Sequence, residues 1–150
     1  MRASIRGTEI YFDIEGMGLV PEGTRMIERP AAFVIHGGPG GDHTGFKPGF
    51  SPLAQHMQLV YFDHRGQGRS GKADPASYTL DENVEDMEAL RQYLGLGPII
   101  SIGTSYGGMV AMARLIGQAS GAALVALCFN LFGPMGAGRA ILLGALTAGL

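Results

Sequence analysis

The sequence predicts an α/β fold with a mostly parallel sheet and flanking helices. Three observations carry this. Three short apolar runs, 31–35, 58–63 and 99–102, each end in a glycine-rich turn. Helical patterns alternate with them, as βα units require. Hydrophobic residues make up 46% of the 150 residues and charged residues 16%, enough for one packed core. In such sheets ligands bind beyond the carboxyl ends of the strands, so the three turns are expected on one edge.

The elements follow in chain order. Residues 9–14 place Ile10, Phe12 and Ile14 on one strand face, and residues 2–6 can pair with them around Gly7-Thr8. Residues 16–30 contain Gly16, Gly18, Pro21, Gly23 and Pro30 and read as loop. A buried strand is predicted from Ala31 to Ile35. Phe50 to His56 reads as a short helix with Ser51 as N-cap. Gln58 to Asp63 is the second strand. Thr79-Leu80-Asp81-Glu82 has the form of a capping box. The helix it opens carries Val84, Met87, Leu90, Arg91 and Leu94 at helical spacing and can end at Gly95 or Gly97. Ile99 to Ile102 is the third strand, and an apolar helix is expected over 109–116.

Charge is unevenly spread. Residues 1–114 hold 10 of the 11 basic and all 13 acidic residues, and residues 115–150 hold only Arg139. The chain is therefore read as two blocks, 1–114 and an apolar Gly/Ala/Leu-rich tail, 115–150. Within the tail, 122–131 fits the next strand and 139–150 an apolar helix. The alternative is an aberrant or poorly folded segment. The uncharged stretch 115–138 is long enough to raise a membrane span. Its glycines, Pro134, Gln118 and Asn130 make it a poor continuous transmembrane helix.

Net charge is −2, with no basic block, so a nucleic-acid footprint is not expected. Cys128 is the single cysteine and reads as inert core. The four histidines lack metal-ligand spacing, so no metal site is expected. The first residues show no apolar signal segment, and a cytoplasmic location is expected.

The turns carry the chemistry. Gly103-Thr104-Ser105-Tyr106-Gly107 matches G-x-S-x-G between a strand and a helix. A sharp turn there projects the Ser105 hydroxyl away from the backbone, where a base and a substrate carbonyl can both reach it. The Tyr106 N–H lies at a helix N-terminus, where an anion is favoured. His36-Gly37-Gly38-Pro39-Gly40-Gly41 can present a second N–H to an oxyanion, with Gly38 the first choice of donor and Gly37 the second. Gly66-Gln67-Gly68-Arg69-Ser70-Gly71 has dinucleotide-type spacing, but Gly71 opens no helix, so it reads as a structural turn and no cofactor is expected. Asp63 and Arg65 are candidates to pair within it. His43 sits in the first glycine loop, where it could touch substrate or support the loop.

The three motifs, taken as His36-Gly37-Gly38-Pro39-Gly40-Gly41-Asp42-His43, Asp63-His64-Arg65-Gly66-Gln67-Gly68-Arg69-Ser70 and Gly103-Thr104-Ser105-Tyr106-Gly107-Gly108, resemble those of the α/β-hydrolases. More narrowly they resemble the proline iminopeptidase group of serine peptidases, over residues 3 to about 114. The resemblance implies an α/β-hydrolase-type sheet and a Ser-His-Asp triad with Ser105 as nucleophile. It implies an oxyanion hole from the N–H groups of Tyr106 and of Gly37 or Gly38. His36 and His43, in the glycine loop, are the candidate substrate-binding residues. No cofactor is implied, and the substrate is a small peptide, amide or ester. In this superfamily the acid and the histidine follow the serine. After Ser105 the sequence has no Asp, Glu or His. The expectation is thus a truncated α/β-hydrolase-type domain without its cap. Three readings follow: an iminopeptidase-like serine hydrolase acting through an acyl-enzyme, an esterase or amidase of the same fold, or an inert chain. An uncovered sheet edge makes self-association the expected behaviour.

Overall fold

The computed structural model describes residues 1–117 and 125–127. β1 (Arg2–Ile5) and β2 (Thr8–Glu15) form the expected hairpin, pairing Arg2 with Tyr11 and Ile5 with Thr8. Its two-residue turn, Arg6 at φ 46° and Gly7 at φ 77°, has the positive dihedrals that match the twist of a hairpin.

The stretch read as loop, 16–30, contains a second hairpin. β3 (Leu19–Glu22) and β4 (Arg25–Glu28) pair around Gly23, at φ 60°. Only Val20 among these eight residues is buried, so the sequence shows no apolar alternation. Pro21 is tolerated because this two-stranded ribbon has only edge strands.

β5 (Ala31–Ile35) leads to the first glycine loop. The single helix expected over 50–56 is instead a chain of short turns. These are a 3-10 turn over Thr44–Phe46, the one-turn helix α1 (Lys47–Phe50) and a 3-10 turn over Ser51–Gln55. Pro48 and Pro52 stand early in the last two turns; each removes a backbone donor and breaks continuity. Ser51 caps nothing, and its hydroxyl donates to Glu15 at 2.6 Å.

β6 (Gln58–Phe62), α2 (Leu80–Tyr93), β7 (Ile99–Gly103), α3 (Tyr106–Gly117) and β8 (Val125–Leu127) complete the order. The Thr79 hydroxyl accepts from Glu82 N–H at 3.2 Å and caps α2. The Glu82 carboxylate pairs with Arg6 and Arg65. Gly95, at φ 65°, follows the end of the helix. α3 begins three residues before the expected 109, directly after Ser105.

The six-stranded sheet has the order β1-β2-β6-β5-β7-β8. β1, β2 and β6 pair antiparallel, while β6, β5, β7 and β8 run parallel. β8 falls within the strand expected over 122–131. The apolar helix expected over 139–150 and Cys128 lie outside the described residues.

Strand alternation sorts the core. Phe33, Ile35, Val60 and Phe62 pack with Met87 and Leu90 of α2 and Val110 and Ala111 of α3. Ala32, Val34, Leu59, Tyr61 and Ile102 face the other way, against Phe46, Phe50 and Leu53. Register then fixes the site. Ile35 is level with both Phe62 and Gly103, so His36, Asp63 and Thr104 leave the sheet side by side. Because β6 and β7 lie on opposite sides of β5, the chain reverses direction across the sheet here, where α/β sheets open a crevice.

Candidate active site

The turn after β7 is shaped by backbone contact. A Cβ on Gly103 would lie 2.3 Å from the Gly107 carbonyl oxygen. A Cβ on Gly107 would lie 2.2 Å from the Ile35 oxygen and 2.6 Å from that of His36. Both glycines of G-x-S-x-G are thus places where two backbones touch. Between them Ser105 is exposed and sits at φ 53°, a left-handed conformation that costs a non-glycine residue about 1 kcal/mol or more. Tyr106 opens α3, so its N–H has no acceptor within the helix.

The loop after β5 lies against this turn. A Cβ on Gly37 would stand 3.3 Å from Ser105 Cβ and 3.9 Å from its Oγ. Gly38 is at φ 152° and is followed by a cis peptide to Pro39. Gly40 N–H donates to Gln67 Oε1 at 2.9 Å, tying this loop to the turn after β6. Among the described residues, the N–H groups of Gly37, Gly38 and Tyr106 meet no acceptor. The structure therefore brings Gly37 against Ser105, with Gly38 and Tyr106 as their neighbours in the chain. Among the described residues no side chain hydrogen-bonds the Ser105 hydroxyl.

His36 and His43, expected to contact substrate, are both buried at 1% exposure. His36 Nδ1 donates to the Gly37 carbonyl at 2.6 Å, and its Nε2 accepts from His64 N–H at 3.1 Å. His64 Nε2 donates in return to the His36 carbonyl at 3.2 Å. Burial holds His36 below the usual imidazole range. Burial, reinforced by His36, pushes His64 down to about 3. The pair is a neutral support beneath the loops, with no free face for a ligand.

His43 Nδ1 donates to Asp63 Oδ1 at 2.7 Å, and its ring stacks on Tyr11. Asp63 is a hub: it also accepts from His43 N–H and Arg69 N–H, both at 2.8 Å. A Cβ on Gly68 would lie 2.4 Å from Asp63 Oδ2, and one on Gly66 would lie 2.4 Å from the Tyr78 ring. Those two contacts account for the glycine spacing of the turn. The suggested Asp63–Arg65 pair does not form. Arg65 instead binds Asp86 through Nε at 2.6 Å and Nη2 at 2.5 Å, a partner 21 residues away on α2.

One residue near the site has no counterpart in the sequence reading. Asn83, on α2, is 2% exposed, and its Nδ2 donates to the Tyr106 hydroxyl at 2.9 Å and to the Thr79 carbonyl at 2.8 Å. A signal existed: Asn83 shares a helical stripe with Met87 and Leu90, and a lone amide on an apolar stripe calls for a buried partner.

Among the described residues no cluster of His, Cys, Asp or Glu could hold a metal ion, and no helix is long and apolar enough to cross a membrane. A crevice of about 730 Å³ lies near the opposite edge of the sheet, between Gly18, Arg29, Gln58 and Pro98. Ser105, the two glycine loops beside it and all four histidines lie outside this crevice.

Comparison with known proteins bears on the same region. Residues 30–116 match the alpha/beta hydrolase fold family. The chain is 35% identical over 114 residues to the proline iminopeptidase PfmaB of Pestalotiopsis fici, covering 73% of this chain and 40% of that protein. It is 34% identical over 110 residues to the proline iminopeptidase of Lactobacillus helveticus, covering 71% and 34%. Among solved structures, the proline iminopeptidase-related protein of Thermus thermophilus superposes with a TM-score of 0.68 at 32% identity, over 77% of this chain and 39% of that one. The chain thus spans between a third and two fifths of the length of these relatives.

Proposed function

The chain belongs to the alpha/beta hydrolase fold family, and from that premise we propose that it carries the nucleophile and oxyanion elements of a serine hydrolase that releases N-terminal residues, proline foremost, from small peptides. The observation that carries this reading is Ser105 itself, exposed at φ 53° with the Gly37 backbone packed against it. Such a turn leaves the hydroxyl free to attack while two backbone N–H groups stand ready for the developing negative charge. The names of the relatives support the peptide specificity; the turn supports the chemistry.

In this reading the Ser105 oxygen bonds to the scissile carbonyl carbon and its proton passes to a base. The carbonyl oxygen, now negative, faces the N–H of Tyr106 and that of Gly38 or Gly37. The C–N bond breaks, the amine departs with the proton, and water releases the acyl group from Ser105. The buried His36 and His64 are neutral and bonded to each other's backbone, so neither serves as that base. Nor, among the described residues, does any other side chain hydrogen-bond the Ser105 hydroxyl.

Labelling with a fluorophosphonate probe tests the reading. The expected result is covalent labelling that Ser105→Ala abolishes. Folded protein that takes no label would sink the assignment for this chain. Prolyl arylamide turnover, compared with alanyl and leucyl arylamides, then tests the preference for proline.

A further inference from the structure

We propose that Asn83 is a positioning residue for the anion site, holding the Tyr106 backbone N–H in place through the Tyr106 hydroxyl. The inference rests on the reading of Ser105 as nucleophile and deepens it.

Ser105 and Tyr106 share one rigid peptide plane. A strained conformation at Ser105 persists only where its surroundings over-determine it. From below, Gly103 and Gly107 supply backbone contact. From the side, the constraint comes through the Tyr106 ring. His64 meets it edge-on, with centroids 5.4 Å apart and planes at 79°. Asn83 Nδ2 holds its hydroxyl at 2.9 Å. The same Nδ2 donates to the carbonyl of Thr79, the N-cap of α2. One amide thus joins the start of α2 to the start of α3.

An amide buried on an apolar stripe is unfavourable unless it is bonded. A leucine would continue the Met87–Leu90 stripe. What the amide adds over leucine is hydrogen bonding: to the Tyr106 hydroxyl and the Thr79 carbonyl, beside the buried His64 imidazole that its side chain also faces.

The test uses the full chain and three variants: Asn83→Leu, Tyr106→Phe, and Val84→Ala as a packing control on the same helix. Amide hydrogen exchange is followed over 103–109 and, for reference, over 31–35. Asn83→Leu and Tyr106→Phe should each speed exchange over 103–109 roughly five- to tenfold, the factor of one neutral hydrogen bond, and together no more than either alone. Val84→Ala should leave the ratio of the two segments unchanged. Tyr106→Phe keeps the test open if Asn83→Leu does not fold. The proposal is overturned if neither variant changes exchange over 103–109, or if Val84→Ala changes it equally. Fluorophosphonate labelling separates the two readings. Wild type that does not label removes the nucleophile assignment, while exchange still decides the tie. Wild type that labels, with Asn83→Leu and Tyr106→Phe at the same saturating rate, removes the positioning role and leaves the nucleophile. The expected result is a fall of roughly tenfold in saturating rate at an unchanged half-saturating probe concentration, as for a group acting on the transition state alone.

Discussion

At the end of β7 a Cβ on Gly107 would meet the Ile35 carbonyl oxygen at 2.2 Å; at the end of β6 a Cβ on Gly66 would meet the Tyr78 ring at 2.4 Å. The distances are alike and the consequences are not. Ile35 is in the middle of a six-stranded sheet, paired on both sides, and its carbonyl has nowhere to go. Tyr78 is 42% exposed and can swing away. The turn that carries Ser105 is therefore held by backbone, and the turn beside it by side chains. Backbone contact suits a site that must keep one serine in a strained conformation. Side-chain contact suits a turn whose task is to brace its neighbour, as Gln67 does for Gly40.

Gly107→Ala is the most damaging way to probe this difference. α3 and β5 must separate to admit the methyl group, and nothing nearby is soft. We expect a loss of more than about 4 kcal/mol, the range reserved for named failures of packing or backbone, or no folded protein. Urea unfolding measures it. A variant within about 1 kcal/mol of wild type would show that the turn is not locked by backbone.

Protonation probes the support beneath the same turn. His64 belongs by sequence to the bracing turn, yet its ring packs under Tyr106. Its folded pKa, about 3, lies below the ordinary 6.5, so between these values the unfolded chain binds a proton that the folded chain refuses. The stability it confers is complete above pH 6.5 and is lost as pH falls toward 3. The slope is at most about 1.4 kcal/mol per pH unit. His36, also lowered, acts in the same direction. The lowered carboxylates, such as Glu88 at about 2, lose their contribution only below the ordinary carboxylate range near 4.5. Between pH 6.5 and 4.5 unfolding free energy should therefore fall by about 2 kcal/mol. His64→Gln, whose amide can still donate to the His36 carbonyl, should remove most of that slope. A flat profile in wild type would mean that the ring is not held neutral.

These contrasts explain what could be read in advance. The parallel strands were legible because burial on both faces makes continuous apolar runs, and the carboxyl-edge site followed from their order. G-x-S-x-G was legible because its glycines answer to backbone geometry, which spacing encodes. The partner of Arg65 was not, because Asp63 is two residues away and Asp86 twenty-one, and only the path of the chain brings Asp86 to it. The hairpin at 19–28 was hidden because exposed edge strands need no apolar alternation and tolerate Pro21. His36 and His43 were expected to meet substrate because a histidine in a glycine loop invites that role; both rings are instead buried and bonded to Gly37, His64 and Asp63. Asn83 left a trace, an amide on an apolar stripe, but its partner Tyr106 is 23 residues away on another helix.

Gly66→Ala is the gentlest of these probes and the one that most directly separates the two turns. Part of its cost is conformational, since φ at position 66 is 70° and an alanine there loses about 1–2 kcal/mol. The rest comes from displacing Tyr78, whose hydroxyl donates to the Ala73 carbonyl at 2.9 Å and accepts from its N–H at 3.1 Å. Truncating the ring first should therefore make the alanine cheaper. In a Tyr78→Ser background the cost of Gly66→Ala should shrink by roughly 1 kcal/mol, the coupling expected of residues in contact, to leave the conformational part alone. The same design cannot relieve Gly107→Ala, because Ile35→Ala removes a side chain and leaves the carbonyl oxygen where it was. If the cost of Gly66→Ala were unchanged in the Tyr78→Ser background, the bracing turn would be locked by its backbone too, and the distinction between the two turns would fail.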